Sequence, residues 1–190
     1  MTYRVLVVCT GNICRSPMGE VVLRDHLTEN GLDDVEVTSA GVSPEETGNP
    51  IDRRARAVLT EFGHELPADH RAHRATADEL RDADLILAMT TGHAHSLRSM
   101  MDELGEDPGK IHLWREFDGT LEVADGGVFG RGGALAGDLA ERSQSANLYR
   151  SSGDFDVPDP WYGVDDDFYD TYKVVDDGAK GLVEFIQSDR

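Results

Sequence analysis

The stretch Val8-Cys9-Thr10-Gly11-Asn12-Ile13-Cys14-Arg15-Ser16-Pro17 decides the fold of this 190-residue chain. It continues the β-branched apolar run Arg4–Cys9, which predicts a buried strand. Thr10-Gly11-Asn12 has the composition of a turn, and Ser16-Pro17 pairs an N-cap residue with proline at the first helical position. Apolar residues at helical spacing follow, and the helical pattern ends at Asn30-Gly31. The stretch therefore predicts a strand, a tight loop and a helix.

Strands and helices alternate along much of the remaining chain. The pattern predicts further strands at 35–39, 84–89 and 110–114, and further helices at 51–62, 97–104 and 164–186. This alternation is typical of a parallel sheet with right-handed crossovers. We therefore expect an α/β fold, a three-layer, doubly wound, four-stranded parallel sheet with helices on both faces, of Rossmann-like type.

Residues 116–156 interrupt this alternation. Seven glycines fall between Gly119 and Gly137, which favours a long loop. Within it we expect one short helix around Leu135, Leu139 and Ala140. We interpret residues 1–190 as a single domain that carries an atypical glycine-rich insertion at about 116–156.

Composition and charge exclude several classes of protein. Hydrophobic residues make up 39% and charged residues 29%, which fits neither a disordered nor a membrane protein. The apolar run Val5–Cys9 is too short for a bilayer span or a signal-peptide core, so we expect a soluble, cytoplasmic protein. The net charge of −19 argues against nucleic acid or an anionic membrane as a partner.

The cysteine and histidine contents argue against a metal site. The only cysteines, Cys9 and Cys14, can form neither a disulfide framework nor a four-cysteine metal site. Two histidine pairs are close in sequence, but no HExxH motif or cysteine–histidine ligand set accompanies them; they are His70 with His73 and His93 with His95. We expect no metal and no cofactor.

The residues from Cys9 to Ser16 suit a thiolate held beneath a phosphate. Ligands bind in open α/β sheets outside the carboxyl ends of the strands, where Cys9 is expected. A loop that opens a helix directs its N–H groups and the positive helix end at one anion. Gly11 permits unusual backbone geometry, and Arg15 supplies a planar fork for two phosphate oxygens. The same field favours the thiolate, to which Ser16 can donate its hydroxyl.

A cysteine nucleophile needs an acid for the leaving group, and Asp159 is the candidate. It opens the segment Asp159-Pro160-Trp161-Tyr162-Gly163, in which Pro160 fixes an extended approach for the aspartate. The adjacent Trp161 and Tyr162 could line an apolar slot, although aromatic pairs also serve as ordinary packing.

These segments resemble the low-molecular-weight protein tyrosine phosphatases. The resemblance covers roughly residues 3–115 and 157–188, and it also rests on Ser39-Ala40-Gly41 and Leu87-Ala88-Met89. It implies the phosphotyrosine phosphatase I type of fold and hydrolysis of aryl phosphate monoesters through a phosphocysteine intermediate. Cys9 would attack phosphorus, Arg15 would hold the phosphoryl oxygens, and Asp159 would act as general acid and then as general base.

The resemblance also implies roles for the neighbouring residues. Asn12 would brace the loop, Ser16 would hold the thiolate, and Trp161 and Tyr162 would flank the substrate ring. Cys14 either packs in the core or forms a reversible disulfide with Cys9. The partners would be phosphotyrosine-containing proteins and the acting unit a monomer. The implied phosphate-binding loop consists of Thr10, Gly11, Asn12, Ile13, Cys14 and Ser16.

Three departures from the family pattern leave alternatives open. Val42–Glu46 stands where an aromatic residue is common, Thr90-Thr91 stands where an aspartate is frequent, and the insertion precedes Asp159, whose access it could gate. One rival is a protein-arginine phosphatase, although such enzymes carry threonine where this chain has Ile13. The others are an arsenate reductase that uses an external small thiol and a noncatalytic phosphate-binding module.

Overall fold

The computed structural model describes residues 1–137 and 155–190. Its centre is a four-stranded sheet in the order β2-β1-β3-β4, and every neighbouring pair is parallel. The prediction of a four-stranded parallel sheet is confirmed. The strands are β1 (Tyr3–Cys9), β2 (Val35–Gly41), β3 (Leu85–Ala88) and β4 (Ile111–Leu113).

Helices cover both faces of the sheet, as predicted. Side chains of β1 alternate between two cores, with Val5 and Val7 in one and Leu6 and Val8 in the other, because successive strand residues point to opposite faces. The first core is closed by α1 (Arg15–Glu29), α2 (Arg53–Glu61) and α5 (Asp167–Asp189), and the second by α3 (Ala77–Asp82) and α4 (Thr91–Leu104).

Ser16 does not cap α1, which corrects the sequence prediction. The helix begins at Arg15 with Cys14 at the N-cap position, and no side chain caps it. The Ser16 hydroxyl is used elsewhere: it donates to the carbonyl of Ala40 at 3.1 Å and lies 3.1 Å from the sulfur of Cys9. Because the hydroxyl contacts these two groups, it does not cap the helix.

The sequence prediction missed α3 and placed the start of α4 too late. The short helix α3 begins with a capping box between Thr76 and Glu79, a signature that apolar periodicity does not register. Helix α4 begins at Thr91 rather than near residue 97, and Thr90 accepts a hydrogen bond from the N–H of His93 at 3.1 Å. Its first turn contains Gly92, a poor helix former, so the cap and the burial of His93 define the start.

The described part of the insertion is anchored to the edge of the sheet. Val128 donates its N–H to the carbonyl of Ile111 in β4 at 2.8 Å, and Leu135 donates to Val128 at 2.9 Å. Both side chains are buried in the second core. Leu135 lies in a turn, so the helix predicted there is wrong at this residue; Leu139 and Ala140 lie outside the described residues.

None of the helices in the described part of the chain combines the length and the hydropathy that a bilayer crossing requires.

Candidate active site

The residues Cys9–Ser16, here called the phosphate loop, connect β1 to α1. The loop carbonyls accept hydrogen bonds from groups around the loop: Val42 N–H on Cys9 at 3.0 Å, Ser43 N–H on Thr10 at 3.0 Å, His70 Nε2 on Asn12 at 2.9 Å, Asp52 N–H on Ile13 at 2.8 Å, and Met18 N–H on Cys14 at 3.1 Å. Within the described residues, the backbone N–H groups of residues 10–15 donate to no protein acceptor. N–H groups without a protein acceptor at the start of a helix are suited to bind an anion.

Cys9 lies at the end of β1, in the middle of the sheet. Cys9 is 3% exposed, and its Sγ lies 3.1 Å from the Oγ of Ser16. The single hydroxyl proton of Ser16 has two acceptors, the carbonyl of Ala40 and the sulfur of Cys9. A thiolate is the stronger acceptor, since hydrogen bonds to ionised groups are about twice as strong as neutral ones.

Asn12 stabilises the turn of the phosphate loop. It is the one non-glycine residue in the described chain with a positive φ, 60°. Its side-chain Nδ2 donates to Ser16 Oγ and Ser39 Oγ, both at 3.0 Å, and its Oδ1 accepts from the N–H of His73 at 3.2 Å. Asn12 therefore joins the loop to β2 and to the segment before α3.

The carboxyl group of Glu20 extends the hydrogen bonds of Asn12 into α1. The hydroxyl of Ser39 donates to the carboxyl of Glu20. Burial raises the pKa of Glu20, and the hydrogen bond from Ser39 opposes that shift in part. The chain from Glu20 through Ser39 to Asn12 thus connects α1, β2 and the phosphate loop.

Arg15 and Asp159 meet at the cavity although they are 144 residues apart. The side chain of Arg15 is only 7% exposed; its Nη2 lies 3.2 Å from Asp159 Oδ2, and its Nη1 donates to the carbonyl of Val157 at 3.3 Å. Asp159 Oδ1 accepts from the N–H of Trp161 at 3.1 Å. The guanidinium therefore contacts both the backbone and the carboxylate of the segment that carries the predicted acid.

The segment Asp156–Gly163, here called the acid loop, is attached to the end of β3. Val157 donates its N–H to the carbonyl of Met89 at 2.8 Å. The carboxylate of Asp156 accepts from the N–H of Thr91 at 2.7 Å, at the start of α4. These bonds place the acid loop beside the phosphate loop, because β3 is the neighbour of β1 in the sheet.

A cavity lined by residues of the phosphate loop and the acid loop has a volume of about 240 Å³. It contains the predicted nucleophile, arginine and acid together with both predicted ring-wall residues. Trp161 is 39% exposed, and Arg54 stacks over its ring at 5.4 Å, whereas Tyr162 is 91% exposed. The lining residues are Cys9, Thr10, Gly11, Ile13, Cys14, Arg15, Glu45, Glu46, Asp159, Trp161 and Tyr162.

The two cysteines lie in different environments, although both are free. Burial raises the pKa of the Cys14 thiol, and the negative charge of Asp52 raises it further. Cys14 therefore remains protonated at neutral pH. Cys9 has the hydroxyl of Ser16 beside its sulfur.

Several residues that hold the loop were not assigned to the site from the sequence. In the sequence, His70, His73 and His93 stand out only as members of two closely spaced histidine pairs. In the structure each of the three is hydrogen-bonded to the phosphate loop, and His93 contacts Thr10 at 2.8 Å. Glu45 and Glu46 line the cavity, and they belong to the stretch Val42–Glu46, in which the resemblance leads one to expect an aromatic residue. Among the described residues no cluster of three or more His, Cys, Asp or Glu side chains is arranged to hold a metal ion.

Comparison with known proteins finds phosphatases similar to this chain in sequence and fold. The family model described as low molecular weight phosphotyrosine protein phosphatase matches residues 4–129. A low molecular weight protein-tyrosine-phosphatase of Streptomyces coelicolor is 35% identical over 188 residues, which is 98% of this chain and 95% of that protein. The crystal structure of YfkJ from Bacillus subtilis superimposes with a TM-score of 0.75 at 27% identity, covering 100% of this chain and 98% of that one.

A solved structure of the YwlE arginine phosphatase is also similar. Its TM-score is 0.71 at 24% identity, covering 98% of this chain and 97% of that chain. At this identity the likeness concerns the fold alone.

Proposed function

The chain belongs to the low molecular weight phosphotyrosine protein phosphatase family, and from that premise we propose that it hydrolyses phosphotyrosine and other aryl phosphate monoesters. The observation that carries the proposal is the convergence of Cys9, Arg15 and Asp159 on one cavity, beside loop N–H groups that donate to no acceptor in the described residues. This arrangement offers a nucleophile, an oxyanion site and a proton donor to a single phosphoryl group.

In the first half-reaction, the Cys9 thiolate forms a bond to phosphorus while the bond from phosphorus to the aryl oxygen breaks. Arg15 and the loop N–H groups hold the three non-bridging oxygens, where charge collects in the transition state. Asp159, 42% exposed at its side chain and 3.2 Å from Arg15, gives its proton to the departing oxygen.

In the second half-reaction, Asp159 takes a proton from water as the water oxygen attacks phosphorus. The sulfur–phosphorus bond breaks and the thiolate returns. The Ser16 hydroxyl, 3.1 Å from Cys9 Sγ, stabilises the departing sulfur by donating to it. The two roles of Asp159 follow from microscopic reversibility, and proton transfer of this kind contributes roughly 10²- to 10⁴-fold to the rate.

The same proposal assigns phosphotyrosine-containing proteins as partners and a monomer as the acting unit, because one chain supplies every group named above. Ile13 in the cavity wall presents an apolar surface to a phenyl ring rather than a polar group to a phosphorylated guanidinium. A reducing, cytoplasmic compartment suits the two free thiols.

The test compares phosphotyrosine, phosphoarginine and, in the presence of an external small thiol as reductant, arsenate as substrates for the wild type, Cys9→Ser and Asp159→Asn. We expect turnover of aryl phosphates only, loss of turnover in Cys9→Ser, and a fall in kcat of roughly 10²- to 10⁴-fold in Asp159→Asn for poorly leaving phenols. The fall should be smaller for p-nitrophenyl phosphate, whose leaving group needs less protonation.

Asp170→Asn, an exposed aspartate on α5, serves as the matched control and should retain wild-type kcat. A wild type that hydrolyses no aryl phosphate, or a Cys9→Ser variant with full activity, would overturn the proposal. Faster turnover of phosphoarginine or arsenate would select one of the rival functions instead.

A further inference from the structure

His93 connects the phosphate loop to α4. Its side chain lies in the first turn of that helix, and the residue is 5% exposed. Its Nε2 lies 2.8 Å from the hydroxyl oxygen of Thr10, the residue after the nucleophile. Its Nδ1 is buried and has no hydrogen-bond partner among the described residues.

The ring of His93 is neutral at physiological pH. Burial lowers the pKa of His93 to about 3, and the positive charge of Arg15 contributes in the same direction. The ring therefore carries one N–H, on either Nε2 or Nδ1. The identity of the protonated nitrogen decides which partner donates in the contact with Thr10.

The cost of an unsatisfied donor selects the tautomer. With the proton on Nδ1, the ring would hold a buried N–H without an acceptor, which is rare and costly in folded proteins. With the proton on Nε2, the N–H donates to Thr10 Oγ1, and Nδ1 remains an acceptor only. The tautomer with the proton on Nε2 satisfies the donor, and it leaves the Thr10 hydroxyl proton free to donate elsewhere.

The same end of α4 also holds the acid loop. The N–H of Thr91 donates to the carboxylate of Asp156 at 2.7 Å, and the carbonyl of Met89, just before the helix, accepts from Val157 at 2.8 Å. Two residues farther along, His93 contacts the phosphate loop. One short stretch of chain is therefore bonded to the segment with the nucleophile and to the segment with the acid.

We propose that His93 is a positioning residue of this active site, which as the tautomer with the proton on Nε2 fixes Thr10 and thereby the spacing between the phosphate loop and the acid loop. The inference rests on the proposed function, since the spacing matters for in-line attack and protonation. Displacing reacting groups by about 1 Å can cost 10²-fold in rate.

The kinetic test is a double-mutant cycle between His93 and Thr10. His93→Phe keeps a ring of similar size without a donor, and Thr10→Val keeps the shape of the side chain without the hydroxyl. We expect each to lower kcat for an aryl phosphate by roughly 5- to 50-fold with a smaller change in KM. The double variant should be no slower than the slower single variant, because both changes remove the same bond.

Matched variants separate positioning from general damage. His93→Gln can place an amide N–H near the position of Nε2, and it should regain most of the kcat lost in His93→Phe. His95→Phe changes a neighbouring histidine of α4 that does not line the cavity, and it should keep wild-type kcat. Additive losses in the cycle, or equal losses in His93→Phe and His95→Phe, would overturn the proposal.

A spectroscopic test uses the wild-type protein and no substrate. The ¹⁵N chemical shifts of labelled histidine distinguish the two neutral tautomers from the imidazolium, and correlating the ring nitrogens with the sequentially assigned backbone of the wild-type protein identifies His93. We expect the neutral tautomer with the proton on Nε2 at pH 7; an imidazolium, or a proton on Nδ1, would overturn the inference even if the variants fail to fold. Failure of the proposed function appears separately, as a wild type without aryl phosphatase activity.

Discussion

Asn12 shows how much of the site depends on one residue. A positive φ of 60° costs most residues about 1–2 kcal/mol, whereas glycine adopts it freely and asparagine tolerates it. The Asn12 amide also makes the three hydrogen bonds, to Ser16, Ser39 and His73, that shape the loop. Backbone conformation and side-chain bonding thus favour asparagine together.

Two substitutions of Asn12 separate these contributions. Asn12→Ala loses the three bonds and strains the backbone, so we expect the free energy of unfolding to fall by roughly 3–5 kcal/mol at about 1 kcal/mol per bond. Asn12→Gly loses the bonds without the strain and should be roughly 1 kcal/mol more stable than Asn12→Ala. Urea denaturation measures both, and kcat should fall in both. An Asn12→Ala variant with wild-type kcat would contradict the role given to the amide.

At the residue scale, the sequence predicted the groups that lie within a motif but not those that support it. Cys9 and Arg15 follow from one short loop, and Asp159 follows from its proline and aromatic neighbours. Ser39 and His93 contact the loop from 27 and 83 residues away. No spacing in the sequence reports such contacts, because they arise only when β2 and α4 are placed beside β1.

Gly41, the last residue of β2, lies close to the backbone of the phosphate loop. A Cβ atom at Gly41 would be 2.5 Å from the carbonyl oxygen of Thr10 and 3.3 Å from the N of Asn12. Gly41→Ala must therefore displace the loop backbone. We expect kcat/KM to fall by roughly 10²-fold if the loop moves by about 1 Å, measured with an aryl phosphate.

Gly19→Ala provides the matched change in a helix. A Cβ there would be 2.6 Å from the terminal methyl of Met89, the flexible end of a side chain, so the core can adjust. Overpacking of this kind costs roughly 1–3 kcal/mol, and we expect a lower Tm with nearly normal kcat/KM. Equal kcat/KM values in Gly41→Ala and Gly19→Ala would show that contact between the β2 end and the loop does not matter for catalysis.

At the scale of elements, strands were predicted better than helix starts. Buried strands such as β1 and β3 are continuous apolar runs, which the sequence displays directly. The starts of α3 and α4 depend on the caps Thr76 and Thr90 and on burial against the sheet, which apolar spacing does not register. The described insertion residues 117–137 are not among those that line the cavity, and the expected gating by the insertion stays a prediction.

The charge of the whole molecule opposes the charge of its proposed substrate. The net charge is −19, and Glu45 and Glu46 line the cavity itself. An aryl phosphate dianion must therefore enter a negative field before Arg15 and the loop N–H groups can attract it. Fields of this kind change association rates by roughly 10- to 10³-fold, and salt weakens them.

Ionic strength should therefore change kcat/KM in opposite directions for substrates of opposite charge. The Debye length falls from about 30 Å at 0.01 M salt to about 8 Å at 0.15 M, so screening removes most of the long-range repulsion but little of the contact with buried Arg15. We expect kcat/KM for a small aryl phosphate to rise roughly 2- to 10-fold over this range of sodium chloride. For a phosphotyrosine peptide with several flanking lysines, attraction replaces repulsion and kcat/KM should fall.

Glu45→Gln combined with Glu46→Gln should weaken both responses, since it removes the charges nearest the reacting group. A steady fall in kcat/KM for the small dianion from low to physiological salt would contradict this account of how the acidic surface acts on substrate capture.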